Sequence, residues 1–530
     1  LSLATAILLT DAVLRRRAAR ADAVAPAASP DALATAESAS PSDPASLAAI
    51  ADTDSAAPPP PPIEIPTHAA RRLAVGCYAV SGATAMVYQV LWTRALAIVI
   101  GSSVYSFTLI LLAFLIGLAG GAAVATRLIP HIRRPVRALA LTHAVTLLTA
   151  LWSFLILPRL PGVFVGILRG SSFTVDGLLA AQFVLAALSI APATLAMGGV
   201  MPLTMHVYTL RRGSQNAPGG ADATSTEGIG RDVGVAYAWN TLGAITGSFA
   251  AGFLVLPELG LQRGLILCAI LTALLSALLF VADDRRGGRF RAPAIIAVAV
   301  AAALLLPRWN LTHFSAGLFR VSIARQIIYH EDRRQPELLY YKDGIATTVS
   351  VEKWGKHLAL KNNGKVDASN GDDMSTQIMV GLLPLLFHPT ALDKPPSVAV
   401  VGYGSGVTIG AVTQFPIAHA DVVELEPAVV EAGDRFFASV SHLPSRDPRV
   451  RVIIGDGRNF MTQSDKPYDV IISEPSNPWI SGVSNLFTTD YWKLAKSRLA
   501  DDGVFCQWAQ LYELSQPNVK TLLRSFASVF

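Results

Sequence analysis

Six apolar runs dominate residues 73 to 307, at roughly 73–92, 104–126, 138–157, 178–201, 234–256 and 262–282. Each supplies the ~20 residues a helix needs to cross a hydrocarbon core about 30 Å thick. No single water-soluble core accommodates so many, so a multi-span α-helical membrane domain is expected. A seventh run, 294–306 (AIIAVAVAAALLL), has 13 residues. Its length favours a re-entrant or interfacial segment over a crossing. The pairs Gly117/Gly121 and Gly243/Gly247 have the spacing of close helix contacts in lipid, although a Gly/Ala-rich composition also produces such pairs. Polar residues inside the runs are few: Gln89, Arg94, Asn240 and the neighbourhood of His206. Such groups serve function or tie helices together.

Charge divides the chain. Only 15% of its 530 residues are charged, against about 25% in soluble domains. None of the ten lysines precedes Lys342, and 23 of the 38 acidic residues fall in 308–530 against seven in 73–307. A membrane half is therefore joined to a soluble half. The net charge of +5 does not point to nucleic acid, because the excess is arginine clustered between apolar runs, where a bilayer accounts for it. Arg71, Arg72, Arg127, Arg133, Arg134, Arg137, Arg211, Arg212, Arg231, Arg285, Arg286, Arg289 and Arg291 fall on one side of the expected spans. Only Arg94, Arg159, Arg169 and Arg263 fall on the other, which assigns the first side to the cytoplasm. If 294–306 crosses, the soluble half emerges outside. If it does not, the soluble half stays in the cytoplasm, attached to the inner membrane by a multi-pass anchor, and this is the placement the short run favours. The three cysteines are far apart, with no CxxC and no histidine run, so no disulfide framework or metal site is indicated.

The pattern sets the following expected organisation. Residues 1–20 read as the tail of a truncated membrane span or a signal-like segment, and 21–70, with five consecutive prolines, as a disordered Pro/Ala/Ser linker. The membrane domain occupies 71–307 with six to seven helices, and 308–336 is a connector. A small β-sheet domain follows at 337–370, where residues alternate with period two and turn signals stand at Asp343-Gly344 and Trp354-Gly355. Residues 371–530 alternate strand and helix, which implies a Rossmann-like parallel sheet covered on both faces. The sequence lacks an initiating Met and stops inside an apolar pattern, as a fragment would.

The first strand of that last domain runs into Gly402-Tyr403-Gly404-Ser405-Gly406. A dinucleotide fingerprint needs a further glycine at 407, where Val407 stands, so NAD is disfavoured and an S-adenosyl cofactor suits the loop better. Glu424 ends the second strand, where a carboxylate can hydrogen-bond ribose hydroxyls. Asp456-Gly457 ends the third, with Asp456 placed to reach an adenine amino group. The fourth ends Ser473-Glu474-Pro475-Ser476-Asn477-Pro478. Ligands bind at the carboxyl ends of such strands.

With DDMSTQ, LPLLFHP, VVELEP, DPRVRVIIGDGRNF, YDVIISEPSNP, LFTTDYW and DGVFCQ, the region from about 337 onwards resembles the spermidine synthase (polyamine aminopropyltransferase) family, and the whole layout resembles its membrane-fused members. The resemblance implies transfer of an aminopropyl group from decarboxylated S-adenosylmethionine to an amine, with methylthioadenosine released. It implies Glu424 as ribose ligand, Asp456 as adenine ligand, Glu474 as catalytic base and amine ligand, and Gln377 and Asp343 as lining of the two-substrate pocket. Three positions depart from the family pattern. Ser405 stands for an aspartate that holds the donor's ammonium, Asn477 for a second catalytic-loop aspartate, and Thr376 for a tyrosine that holds the diamine. A charge-assisted hydrogen bond to a cation contributes about 1.5–3 kcal/mol, so the adenosine half of the site is kept and the polyamine half depleted. Two other readings stay open: a methyltransferase using intact S-adenosylmethionine, and a transporter or sensor whose soluble half binds a polyamine or nucleoside without turnover. The expected partners are a small amine, the lipid bilayer and a second copy of the chain, with no nucleic acid and no metal.

Overall fold

The computed structural model describes residues 63–169, 174–210, 223–283, 288–317, 328, 335–464, 467–511 and 514–530. The expectations for 1–20, for most of the 21–70 linker and 308–336 connector, and for Arg211, Arg212, Arg285 and Arg286 lie outside them.

The apolar half forms α1 (His68–Ile100), α2 (Val104–Leu128), α3 (Pro135–Ile156), α4 (Val175–Gly198), α5 (Ala223–Ala250), α6 (Gly260–Asp283) and α7 (Gly288–Leu305). Five helical stretches are long and apolar enough to cross a membrane by length and composition. One of these, Gly230–Asp283, spans α5 and α6. Between those two the chain passes through a π-helical turn, Ala251–Leu259, containing Pro257, and reverses at Gly260 with φ +74°. The glycine pairs mark close helix contacts. A Cβ on Gly121 would fall 1.8 Å from the Leu195 carbonyl oxygen of α4, and one on Gly243 1.9 Å from that of Ala79 in α1. Asn240 donates to the Tyr78 carbonyl at 2.8 Å, tying α5 to α1.

The stretch 294–306 is not re-entrant. It belongs to the continuous 18-residue helix α7, about 27 Å long at 1.5 Å per residue. Ala299 of α7 packs with Ala269 and Ala273 of α6 and Leu147 of α3, so α7 stands along the bundle. The arginines preceding the apolar run extend the helix by a turn and a half, which a hydropathy window does not count. The bundle then has two distinct ends. At one, Arg134 pairs with Glu64 at 3.3 Å and Arg71 donates to the Leu210 carbonyl. At the other, Gln262 donates to the Pro307 carbonyl at 3.0 Å where α7 has ended. The soluble half meets this second end, opposite the arginine-rich connections.

That half begins with the antiparallel sheet β1 (Glu337–Asp343), β2 (Thr348–Trp354), β3 (His357–Asn362) and β4 (Lys365–Ser369), in that order. Helix α8 (Met374–Phe387) leads into β5 (Ser397–Val401), α9 (Val407–Thr413), β6 (His419–Glu424), α10 (Pro427–Phe436), β7 (Val450–Ile454), α11 (Gly457–Gln463), β8 (Tyr468–Ser473), α12 (Thr489–Lys496), β9 (Leu499–Gln507) and α13 (Gln516–Ala527). The five strands pair in parallel in the order β7-β6-β5-β8-β9, so the chain reverses direction across the sheet beside β5. Alternate residues of β5 face opposite layers. Val398 and Val400 pack with Leu385, Ile409 and Val412, while Ala399 and Val401 pack with Met461, Tyr491 and Trp492. This is the two-sided burial that all-apolar strands require.

Candidate active site

The carboxyl ends of β5, β6 and β8 converge through main-chain bonds. Gly402 N–H donates to the Val423 carbonyl and Glu474 N–H to the Val401 carbonyl, both at 2.9 Å. Gly402 has φ +106°, and a Cβ there would lie 2.5 Å from the Glu474 carbonyl oxygen, so only glycine fits. Gly406, also at positive φ, caps α9.

Glu424 accepts from the Tyr403 N–H and the Glu426 N–H, each at 3.0 Å. Burial pushes its carboxyl up, while these amides pull the other way. Ser405 is buried and donates to Gln377 Oε1 at 2.5 Å. Gln377 in turn donates at 3.0 Å to both the Ser369 carbonyl and Asp373. Ser405 and Gln377 are thus partners in one network under the glycine loop. Glu474, at the end of β8, is raised to about 7, first by burial and then by the field of Asp373, against a hydrogen bond from Thr408. A carboxyl with that value takes and gives a proton near neutrality. Asn477 follows in the same loop, wholly buried, and among the described residues neither its Oδ1 nor its Nδ2 has a partner. Asp456 is exposed and caps α11 by accepting from the Asn459 N–H at 2.8 Å. Gly457 beside it is buried, and a Cβ there would meet Val401 at 2.5 Å.

Two further expected residues have other surroundings. Asp343 is buried against the helical bundle, accepting from the Leu261 N–H and the Thr348 hydroxyl at 2.8 Å each. Thr376 is exposed on α8. One residue given no role from sequence joins the site: Asp373, which accepts from Ser369 and Gln377 and biases Glu474. Its signal was available, since DDMSTQ places an acid four residues before Gln377 in the turn that opens α8. The structure also groups His388, Asp469 and Asp502, with ligand atoms within 4.8 Å of one another, in an arrangement able to hold a metal. It lies toward the amino end of β8, away from Glu474.

A parallel sheet with a glycine loop and acids at adjacent strand ends defines an α/β domain of the nucleoside-binding class. Residues 374–530 match the spermine/spermidine synthase domain. The chain is 24% identical over 459 residues to "Polyamine aminopropyltransferase 1" of Streptomyces coelicolor, covering 86% of this chain and 79% of that protein, so the similarity extends into the apolar helices. It is 29% identical over 198 residues to the "Spermidine synthase" of Dictyostelium discoideum, covering 37% of this chain and 64% of the relative's length. A solved spermidine synthase from Thermotoga maritima is similar at 21% identity, with 37% of this chain and 66% of that one covered and a TM-score of 0.34.

Proposed function

We propose that the chain is a membrane-anchored aminopropyltransferase. A decarboxylated S-adenosylmethionine donor lies across the carboxyl ends of β5 to β7, its ribose on Glu424 and its adenine toward Asp456 and Gly457. Gly402, Gly404 and Gly406 give the backbone room for it, and Gln377 and Ser405 form the floor. The acceptor is an amine, protonated at neutral pH because alkylammonium groups lose a proton near pH 10. Ionised Glu474 first takes one proton from the ammonium, and the neutral nitrogen so formed attacks the carbon beside the sulfonium in line. The C–N bond forms, the C–S bond takes its electrons to sulfur, and methylthioadenosine leaves. Glu474 keeps the proton taken from the ammonium, the product nitrogen carries the positive charge lost by the sulfonium, and Asn477 supplies a neutral oxygen to the acceptor.

The single observation carrying this reading is the half-buried Glu474 carboxyl at the end of β8, where its N–H bonds the Val401 carbonyl beside the glycine loop and desolvation pushes it up to about 7. Asn477 supports it, since a buried unpaired amide costs about 1–3 kcal/mol and a bound amine relieves that cost. The names of the curated relatives support the reaction class. Two carboxylates fewer than the family pattern leave a site suited to a less highly charged amine than a diamine dication. Binding of the two donors by the full chain tests the donor: tighter binding of decarboxylated than of intact S-adenosylmethionine is expected. The reverse order favours the methyltransferase reading, because uncharged Ser405 does not repel a donor carboxylate.

The apolar helices anchor the enzyme. With α7 packed along α6, the arginine bias supports a transferase half on the side opposite the arginine-rich loops. A short seventh run that does not cross would instead keep that half on the cytoplasmic side, and a topology reporter after Arg308 separates the two.

A further inference from the structure

The turn between β1 and β2 is held from two sides. From the bundle, Arg94 of α1 donates to the Gly344 carbonyl at 3.3 Å and the Ile345 carbonyl at 2.9 Å, and the Leu261 N–H donates to Asp343 at 2.8 Å. From the transferase domain, Glu426 Oε2 accepts the Ala346 N–H at 2.8 Å and the Thr347 N–H at 3.3 Å. One guanidinium takes two successive carbonyls and one carboxylate takes the next two amides. The fit is tight, since a Cβ on Gly344 would lie 2.2 Å from the Glu426 carboxyl. Glu426 is two residues from Glu424, and its own N–H is one of the two amides that Glu424 accepts. The path from Arg94 to the ribose ligand therefore runs through five polar contacts, all of them main-chain to side-chain and directional.

The same bundle end also touches the loop that follows Glu474. Ser103, just after α1, forms an antiparallel bridge with Ile480, and the Ser481 N–H donates to the Ser102 carbonyl at 3.0 Å. Both the nucleoside side and the acceptor side of the site thus rest on the end of α1. Arg94 stands near the end of an apolar helix and spends two of its N–H groups on carbonyls of the soluble half. A guanidinium fork makes this double contact and an ammonium does not.

We propose that Arg94 is a positioning residue for the nucleoside end of the site, acting through the β1–β2 turn and Glu426 to fix Glu424. The bundle is then part of the active site's framework as well as its anchor. This inference rests on Glu424 holding the ribose, and the experiment separates the two. Methylthioadenosine binding is measured by calorimetry on the full chain in lipid nanodiscs, for wild type, Arg94→Ala, Arg94→Lys and Glu424→Ala. Arg94→Ala is expected to weaken binding about fivefold or more, the scale of coupling between linked sites, with donor KM rising by a similar factor and acceptor KM unchanged. Arg94→Lys, which keeps the charge and loses the fork, is expected to fall between the two. Binding by Arg94→Lys and Arg94→Ala within twofold of wild type, while Glu424→Ala loses binding, overturns the positioning role and leaves the nucleoside site standing. If Arg94→Ala does not fold, wild-type affinity in Arg94→Lys alone overturns it. Unchanged binding in Glu424→Ala overturns the reading on which the proposal rests.

Discussion

At the residue scale, the proposed reaction turns on Glu474. Its carboxyl is raised to about 7 by burial, and only the ionised form accepts a proton. Activity under kcat/KM conditions is therefore expected to hold above about pH 7 and to fall about tenfold per unit below it. A pH profile of Glu474→Gln checks the assignment: a loss of about 10²-fold or more at neutral pH, with no acid limb in the remainder, is expected. A wild-type profile flat from pH 5 to 8 excludes Glu474 as the base. The strand-end positions of Glu424, Asp456 and Glu474 were legible in the sequence because each closes an apolar strand. Asp343 was not. Its neighbours in sequence say nothing of Leu261, 82 positions away, whose N–H it accepts.

At the element scale, the small antiparallel sheet hides a charge pair that alternation alone reads as exposed. Lys361 on β3 and Glu352 on β2 are in contact at 2.5 Å, with side chains 4% and 0% exposed. Period-two patterning assigns one face to solvent, but α10 covers one side of this sheet through Ala428, Val429 and Ala432, and the Ser315 carbonyl approaches Lys361 from the end of the bundle connection. Breaking a buried pair strands a charge at a cost of about 3–5 kcal/mol. Lys361→Met is expected to lower the thermal midpoint of the full chain sharply, and Glu352→Leu combined with it to recover most of the loss. A single variant as stable as wild type shows the pair to be solvated. The seventh helix teaches a related lesson. Its 13 apolar residues understate it, because helix continues through the arginine-bearing residues before them.

At the scale of the whole molecule, the apolar helical half and the Rossmann-like half share a surface that composition could not reveal. The change from a lysine-free to a lysine-bearing sequence shows where the halves divide, but not which bundle end the second half rests on. Contacts from Arg94, Ser102, Ser103 and Leu261 assign it to the end away from the arginine-rich loops. A topology reporter fused after Arg308 is accordingly expected to be active as alkaline phosphatase and dark as a cytoplasmic fluorescent protein, and the opposite result contradicts the arginine count. The central claim is that the whole chain transfers an aminopropyl group using Glu474. Its most direct test supplies the purified full chain with decarboxylated S-adenosylmethionine and an amine and identifies the nucleoside released. Methylthioadenosine formed in step with an aminopropylated amine, and absent with Glu474→Gln, is the expected result. S-adenosylhomocysteine formed from intact S-adenosylmethionine, with no methylthioadenosine from the decarboxylated donor, would contradict it.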